Sequence, residues 1–443
     1  MLATDMSLTG WNAGKVGPRK VCCVSLSFPP SAAAGVHRVR HVSKFLPNHG
    51  WSPTIVCVDE RDLNETLDWK LLDLVRKDIK VRRVRALPVK LTKPFGVTDL
   101  GLRAYWSVRQ ELKALLDADD YDAVLMTGAP FYQMALSRYI KRRFRVPVVL
   151  DFQDPWVSAW GAAQPMMSKA GITHRLAVSL EPRVLRSADF VTSVSDIQNA
   201  EMAGRYPWLD ASKMAAIPIG GDPDDFRVLD VGTEDISFPT DMINFSYVGT
   251  FLPRAEPLVR VLFRAYSRLR RLEPTLAANI RLNFIGTSNQ SNDVTKRVLP
   301  VAESEGVANA VSETPHRIPY LQALSALKRS HALLLIGSDE PHYTASKIYP
   351  ALMSERPYLS FFHRASSAHS ILSRARGGRA LSFADRDELV SSEVPFSEAL
   401  RDLALHPNSF GIADPSAYEA YQADNVACQF AAIFDRMSLT RAK

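Results

Sequence analysis

Two acidic residues follow directly after an apolar, strand-like run in the stretch from Asp151 to Trp156. Carboxylates three positions apart beyond a strand end, followed by proline and an aromatic ring, suit the binding of sugar hydroxyls or the removal of a proton. The structural alternative is that Asp154 caps a helix with Pro155 in its first turn. Because capping and function can coexist, we favour the functional interpretation and take Asp151 and Asp154 as candidate catalytic residues.

A second candidate site is the loop from Ser27 to Arg38, which leaves the first apolar run and opens a helix. Its small residues end at Gly35, which would let the backbone approach a diphosphate at the positively charged start of the helix. A tight strand-to-helix turn that needs glycine for its geometry explains the same residues. The chain has neither a P-loop lysine motif nor a G-x-G-x-x-G sequence, which disfavours ATPases and nicotinamide dehydrogenases.

Two loops in the second half of the chain carry cations after apolar runs. Gly249 and Thr250 end a strand-like run, and Arg254 follows where it could meet phosphate oxygens. Ser346 and Lys347 are expected in the first turn of a helix, where the helix dipole disfavours a cation unless an anion is bound. Solvated basic side chains are the alternative in both places, and at Lys347 we favour the anion.

The candidate residues can act together only if strands and helices bring their loops close to each other. The pattern of apolar residues predicts such strands and helices. Short apolar runs alternate with helix-period segments in the first half, which predicts an α/β domain with a parallel sheet covered on both faces. The predicted strands are Val21–Leu26, Pro53–Val58, Ile79–Val84, Ala123–Met126, Pro147–Phe152 and Phe190–Val194. The helix-period segments between them are Val36–His49, Leu100–Ala118 and Phe131–Phe144.

The alternation starts again after a segment rich in Gly, Pro and Asp, which predicts a second domain of the same class. We place a tail at residues 1–19, Rossmann-like domains at 20–225 and 226–410, and a closing helix at 411–443. Ligands of open parallel sheets bind beyond the carboxyl ends of the strands, so the two domains should face each other across a binding cleft. The second set of predicted strands is Ile243–Val248, Ile280–Ile285, Ala332–Ile336 and Tyr358–Phe362, and its helices are Pro257–Leu272, Tyr320–Lys328 and Ala345–Met353.

Taken in order, several stretches resemble the GT-B glycosyltransferases, in particular the bacterial family-4-like group. The resemblance covers about residues 21–372, and it depends on the order and spacing of its motifs more than on any single one. The stretches are Phe28-Pro29-Pro30 with Gly35 and Arg38, Asp151 to Trp156, Ser187 to Ser195, Ile217 to Asp222, Tyr247 to Thr250, and Ser346 to Tyr349 leading to Arg356-Pro357.

The resemblance implies how a nucleotide sugar would be held. The second domain would bind the donor, with Arg254 and Lys347 neutralising its phosphates and Gly35 giving room from the first domain. The acceptor would enter from the first domain, where Asp154 would position it. The group transfers sugar with retention and usually without a bound metal, so neither a metal nor a separate cofactor is expected here.

One departure from the group concerns its two glutamates, which stand eight positions apart around the lysine. The corresponding residues here are His342 and Pro350, and neither is acidic. Glu340 or Asp339 would then replace the first carboxylate from another register, and His342 could donate a hydrogen bond to a sugar hydroxyl. Pro350 has no side-chain group that could bind a ribose hydroxyl, so we expect the nucleotide to be bound differently from the way the group binds it. The turn at Ile219-Gly220-Gly221-Asp222 also departs from the group, with more effect expected on hinge geometry than on chemistry.

We therefore expect a retaining hexosyltransferase that moves sugar from a nucleotide-sugar donor to an acceptor hydroxyl in the biosynthesis of a cell-surface polysaccharide or glycolipid. The acceptor would be a sugar or a lipid-linked sugar. The alternatives are a GT-B-fold nucleotide-sugar epimerase and a two-domain small-molecule binding protein without catalysis. An epimerase would interconvert a free nucleotide sugar without any acceptor.

Charge and composition narrow the partners and the location. With 54 Lys and Arg against 47 Asp and Glu among 443 residues, the formal charge of +7 is too modest to indicate nucleic acid. Neither an apolar membrane-spanning run nor a secretory signal is evident, so a cytoplasmic protein is expected. Basic groups at Lys141–Arg145 and around Lys90, Lys93, Arg103 and Trp106 keep an anionic membrane surface open as a partner. The arginine stripe of the helix Pro257–Leu272 fits an ordinary surface helix.

Overall fold

The computed structural model of the chain describes residues 17–229, 236–340 and 346–441. Its first domain contains a parallel sheet of seven strands in the order β3-β2-β1-β4-β5-β6-β7. The first six positions follow the order typical of doubly wound dinucleotide-binding folds. The strands are β1 (Arg19–Val24), β2 (Trp51–Val58), β3 (Lys80–Val84), β4 (Ala123–Gly128), β5 (Val148–Phe152), β6 (Phe190–Ser193) and β7 (Met214–Ala216).

The helices of the first domain cover both faces of this sheet. The central strands are buried throughout, as continuous apolar runs in a two-sided parallel sheet require. The helix Leu100–Ala118 is capped by Asp99, whose carboxylate accepts a hydrogen bond from the Leu102 amide at 3.0 Å. The helices are α1 (Val36–Phe45), α2 (Val89–Thr92), α3 (Leu100–Ala118), α4 (Leu136–Arg143), α5 (Ala159–Ala162), α6 (Lys169–Leu185) and α7 (Asp196–Arg205).

The second domain repeats the same architecture with a parallel sheet of six strands. Their order is β10-β9-β8-β11-β12-β13, which corresponds strand for strand to the first six positions of the first sheet. The strands are β8 (Ile243–Val248), β9 (Ile280–Ile285), β10 (Val311–Thr314), β11 (Ala332–Ile336), β12 (Tyr358–His363) and β13 (Gly378–Phe383). The helices are α8 (Glu256–Leu272), α9 (Pro274–Ala278), α10 (Leu299–Ser304), α11 (Tyr320–Arg329), α12 (Ile348–Met353), α13 (Ser367–Ala375), α14 (Arg386–Ser391) and α15 (Glu393–Leu405).

The last helix, α16 (Ala423–Arg441), returns to the first domain and packs against α1. Its apolar residues Phe430 and Phe434 are fully buried in the core that lies under β1 and β2. The indole of Trp51 donates a hydrogen bond to Asp435 of this helix at 2.8 Å. The C-terminal segment therefore completes the core of the first domain.

The predicted α/β class with two doubly wound domains is confirmed. Within the described residues, every strand predicted from the sequence is present to within two residues at each end. The sequence missed three strands, β7, β10 and β13, and each is at the edge of its sheet. The helix predicted from Ala345 is observed from Ile348. No helix in the described part of the chain has the length and apolarity needed to cross a bilayer.

Candidate functional site

A cavity of about 260 Å³ lies between the two domains, at the carboxyl ends of their parallel strands. The first domain contributes the loop after β1 and one face of α1. The second domain contributes the loops after β8, β9 and β10 and the segment before α12. The lining side chains and backbone include Ala32, Ala34, His37, His41, Ile219, Gly220, Gly249, Thr250, Gly286, Ser288, Arg317, Tyr320, Ser346, Lys347 and Pro350. Loops from both sheets thus converge where doubly wound folds bind ligands.

Lys347 lines this cavity as a half-buried cation immediately before α12. Its Nζ donates a hydrogen bond to the Tyr247 hydroxyl at 2.6 Å, and that hydroxyl donates to the Thr250 carbonyl at 2.8 Å. The same Nζ lies 3.8 Å from the centre of the Tyr247 ring. Burial lowers the pKa of Lys347 to about 7. An anion in the cavity would reverse this shift by favouring the charged form.

Gly249 lies beside this lysine and has a backbone conformation that favours glycine. Its φ of +131° lies in a region that side chains rarely adopt, and a Cβ there would stand 3.5 Å from the Lys347 Cδ. The sequence placed Ser346 and Lys347 in the first turn of a helix, whereas in the structure both precede it. The cation therefore faces the cavity from a loop held by Tyr247.

Arg254 and Glu340 meet each other in the structure. The Arg254 guanidinium donates to the Glu340 carboxylate, and the two side chains are 63% and 46% exposed. Neither residue lines the cavity. In this conformation each predicted donor-binding group neutralises the other, and contact with a phosphate requires that the pair separate.

Arg317 is a cation in the cavity that sequence reasoning missed. It follows β10, and its Nη2 donates a hydrogen bond to the Ala32 carbonyl of the first domain. Burial lowers the pKa of Arg317, although the carboxylates of Asp68 and Glu65 oppose the shift. A guanidinium keeps its charge under such conditions. Arg317 and Lys347 thus place two basic groups at one cavity.

Two histidines of α1 face the cavity from the first domain, and neither was predicted. The ring of His37 lies 4.3 Å from the Tyr320 ring of the second domain, and His41 is 1% exposed with no hydrogen-bond partner at Nδ1. Burial and the nearby Arg40 guanidinium lower the pKa of both histidines. They are therefore neutral near pH 7 and available as hydrogen-bonding groups.

The two domains also contact each other beside the cavity. The Asp68 carboxylate accepts a hydrogen bond from the Tyr320 amide at 2.8 Å, and the Tyr320 hydroxyl donates to Asp225 at 3.0 Å. The Thr66 and Ser291 hydroxyls are 2.7 Å apart. These contacts fix the start of α11 against the first domain, so the cavity is enclosed on this side.

Asp151 is part of the interior of the first domain. Its carboxylate pairs with the Arg38 Nε at 3.0 Å and accepts from the Thr192 hydroxyl at 2.8 Å, with no exposure on either charged side chain. Arg38 also donates to the carbonyls of Ile217 and Pro218, which lead into the interdomain linker. Asp151 therefore supports α1 and the linker, and the structure does not present it to a substrate, in contrast to our prediction.

Asp154 and Gln153 occupy the end of the same loop. Asp154 is exposed and caps no helix, because Ser158 caps α5 instead. Gln153 is 8% exposed, its Oε1 has no hydrogen-bond partner, and a Cβ at Gly35 would stand 2.9 Å from that oxygen. Glycine at position 35 thus allows Gln153 to pack against the start of α1. Neither Asp154 nor Gly35 lines the cavity between the domains.

The remaining predicted positions fall around the linker and the α12 loop. His342 lies outside the described residues, and Pro350 lines the cavity. Gly220 has a φ of +73°, and a Cβ there would stand 2.2 Å from the Tyr421 carbonyl oxygen. The departure at Ile219–Asp222 therefore concerns how the linker packs on the C-terminal segment. Within the described residues no group of three or more potential ligands could hold a metal ion.

Comparison with known proteins finds one family model that matches most of the first domain. Residues 34–220 match the family model described as glycosyl transferase 4-like domain. None of the curated proteins matches the sequence significantly.

Solved structures match nearly the whole chain. Sucrose-phosphate synthase from Thermosynechococcus elongatus superposes with a TM-score of 0.58 at 14% identity, covering 96% of this chain and 100% of that one. A UDP-forming α,α-trehalose-phosphate synthase from Burkholderia xenovorans gives 0.59 at 12% identity, with coverages of 95% and 99%. A candidate UDP-N-acetylglucosamine 2-epimerase from Listeria monocytogenes gives 0.53 at 11% identity, with coverages of 96% and 98%.

At these identities the structural matches establish the fold. Residues 34–220 therefore match a glycosyl transferase 4-like domain, and the chain as a whole has the GT-B fold.

Proposed function

We propose that the chain transfers a hexosyl group, with retention of configuration, from a nucleoside-diphosphate sugar to an acceptor hydroxyl in the cleft between the domains. The observation that supports this most strongly is the pair of basic side chains, Lys347 and Arg317, at one cavity at the carboxyl ends of both sheets. Two positive charges match the two phosphates of such a donor. No separate cofactor or metal is part of the proposal.

Each group in the cavity has a distinct task in this proposal. Lys347 and Arg317 hold the diphosphate and stabilise the charge that develops on it as the glycosyl bond breaks. Gly249 and Thr250 leave room for the donor beside the lysine. His37 and His41, neutral at pH 7, offer hydrogen bonds to hydroxyl groups. The contacts of Tyr320 with the first domain help exclude water, which would otherwise compete with the acceptor.

The acceptor would enter from the first domain, past the loop that carries Asp154. We propose a sugar or a lipid-linked sugar as acceptor, within the biosynthesis of a cell-surface polysaccharide or glycolipid at the inner face of the membrane. Support for this comes from the basic and aromatic side chains of the first domain near Lys90 and Trp106. In this proposal Arg254 and Glu340 are donor-binding groups that would act once their ion pair opens. His342, outside the described residues, is kept as a catalytic candidate.

A thermal-shift screen with UDP, GDP, ADP and TDP sugars tests donor binding, because a ligand that binds the folded state raises the melting temperature. Lys347→Ala should weaken binding of the selected donor by about 10- to 100-fold, as expected for loss of a charge-assisted hydrogen bond. Lys296→Ala, which removes an exposed lysine elsewhere in the second domain, is the matched control. Wild-type donor affinity in Lys347→Ala would contradict the proposed site.

Product analysis then separates the alternatives. A transferase releases nucleoside diphosphate in proportion to glycosylated acceptor. The epimerase alternative is favoured by the Listeria neighbour, and it predicts an epimeric nucleotide sugar formed with no acceptor present. Donor affinity without turnover of any acceptor would indicate a binding protein. Only the first result is consistent with our proposal.

A further inference from the structure

Large apolar side chains protrude from two segments of the first domain, residues 87–106 and 160–178. Phe95 and Met167 are each 84% exposed, and Trp160 is 69% exposed. Soluble proteins seldom expose such side chains in a group, and a contiguous group indicates a surface that contacts something apolar. We call this surface the apolar face; its members are Leu91, Phe95, Trp106, Trp160, Met166 and Met167.

The two segments that carry the apolar face touch each other. The Lys169 Nζ at the start of α6 donates a hydrogen bond to the Thr98 hydroxyl at 3.0 Å. The first segment follows β3 and the second follows β5, so both leave the carboxyl edge of the first sheet. This is the edge that faces the interdomain cleft, and the acceptor is proposed to arrive there.

The charges around the apolar face are mainly positive. Lys90 and Lys93 alternate with its members in the first segment, and the exposed Lys169 and Arg175 follow its members in the second. Asp99, which caps α3, is the one acidic residue in residues 87–106, and residues 160–178 contain none. Positive charge at the border of an apolar surface complements anionic lipid headgroups.

The positive region continues along the outer side of α3 and α4. The Arg109 guanidinium lies 5.5 Å from the centre of the Trp106 ring and 4.3 Å from that of Tyr139. Next to them is an open groove of about 540 Å³, lined by Tyr105 and Tyr139 and by three arginines, Arg138, Arg142 and Arg143. Tyrosine and tryptophan rings beside arginines suit the headgroup layer of a bilayer, where one end of the ring is apolar and the other is wet.

The arginines of α8 offer no comparable surface. Arg260 pairs with Glu256 and Glu305, and Arg264 pairs with Glu305, so two of the five arginines of this helix are neutralised within the second domain. The apolar side of the helix is buried except for Leu272 at its last position. The cationic surface that combines with exposed apolar side chains is therefore on the first domain.

We propose that the apolar face docks on an anionic lipid bilayer. Phe95, Met167 and Trp160 enter the boundary between headgroups and acyl chains, while the surrounding lysines and the groove arginines contact lipid phosphates. This inference deepens the proposed function and rests on it for the lipid-linked acceptor. Docking would bring that acceptor to the carboxyl edge of the first sheet. The docking itself needs neither donor nor acceptor.

Sedimentation of the full chain with vesicles tests this inference. Vesicles of phosphatidylcholine with about 30% phosphatidylglycerol should carry the protein down, and pure phosphatidylcholine vesicles should carry less, because anionic lipids attract the lysines. The double variant Phe95→Ser/Met167→Ser should bind the anionic vesicles at least about tenfold more weakly, because the inserted apolar area is lost. Raising the salt concentration should weaken wild-type binding.

A matched control comes from the second domain. Val294→Ser/Lys296→Gln removes a side chain that is 81% exposed together with a nearby exposed lysine, and it should bind vesicles as the wild type does. Both variants should keep the melting temperature and the donor-induced thermal shift, which separates failure of docking from failure of the proposed donor site. Equal vesicle binding by all three proteins, or binding by none, would overturn the inference. A dimer lost in Phe95→Ser/Met167→Ser without vesicle binding would assign the face to a second copy and overturn it too.

Discussion

Burial decides what each charged residue of the candidate site can do. The Arg38–Asp151 pair has no exposure and additional partners on each side chain, and removal of one member of such a pair typically costs about 3–5 kcal/mol. The Arg254–Glu340 pair is more than 40% exposed on both sides, and such pairs contribute about 0–1 kcal/mol. The first pair is therefore a fixed support, whereas the second can open to admit a ligand.

Lys347 should make donor binding depend on pH. Burial holds its pKa near 7, so the side chain loses its proton as the pH rises above this value, and a diphosphate favours the protonated form. We expect the affinity for the nucleotide sugar to fall with rising pH, by up to about tenfold per unit above pH 7. The lowered pKas of His37 and His41 place their own titration below this range.

Isothermal titration calorimetry between about pH 7 and 9 measures this dependence. In buffers of different ionisation enthalpy it should also show proton uptake when the donor binds. Lys347→Met should bind weakly with a flat pH profile, and Lys296→Met should keep the wild-type slope. An unchanged slope in Lys347→Met would assign the titration to another group.

At the scale of elements, two helical glycines differ in what surrounds them. A Cβ at Gly171 in α6 would stand 2.2 Å from the Pro165 carbonyl oxygen, whereas one at Gly204 in α7 would meet nothing within 4 Å. Gly171→Ala should therefore lower the free energy of unfolding by about 1–3 kcal/mol, because the backbone of the preceding loop must move. Gly204→Ala should raise it by about 0.5 kcal/mol through helix propensity.

Chemical denaturation of both variants provides the comparison. Because the loop before α6 carries Met166 and Met167, Gly171→Ala should also weaken vesicle binding, and Gly204→Ala should not. Equal stability of the two variants would show that the loop yields without cost and that the start of α6 is not tightly packed.

Most strands that the sequence predicted are apolar on both faces, and the edge strand β3 is an exception. Strands such as β4 and β5 are buried along their full length, so their apolar runs are unbroken. The missed strands are edge strands, and β10 and β13 have polar side chains at partly exposed positions. An edge strand pairs on one side only, so its sequence does not require a continuous apolar run.

The same reasoning explains which site residues were found. Gly249 directly follows the apolar strand β8, and Lys347 directly precedes the apolar helix α12. The sequence pattern therefore predicted the loops that carry these two residues. Arg317 follows β10, which the pattern missed, and its partner Ala32 is 285 positions away in the chain. The contact of His37 with Tyr320 likewise depends on how the two domains sit together, and no local pattern encodes that arrangement.

At the scale of the whole molecule, the last helix of the chain packs in the core of the first domain, although the second domain lies between them in the sequence. The helix α16 follows the whole second domain, yet Phe430 and Phe434 lie in the core beside β1 and β2. The stability of the first domain therefore depends on residues near the C-terminal end of the given sequence. The second domain has its own core, in which Phe396 of α15 is fully buried against Phe361.

Phe434→Ala and Phe396→Ala should therefore destabilise different domains. Each removes a fully buried ring, so each should cost about 3–5 kcal/mol in the domain whose core it lines. Hydrogen exchange should speed up in β1, β2 and α1 for Phe434→Ala, and in β12, β13 and α8 for Phe396→Ala. Equal acceleration across both sheets in either variant would contradict this assignment and show that the two domains unfold as one unit. Addition of the donor should reduce the acceleration in both variants, because it binds groups from both sides of the cleft and stabilises the joined state.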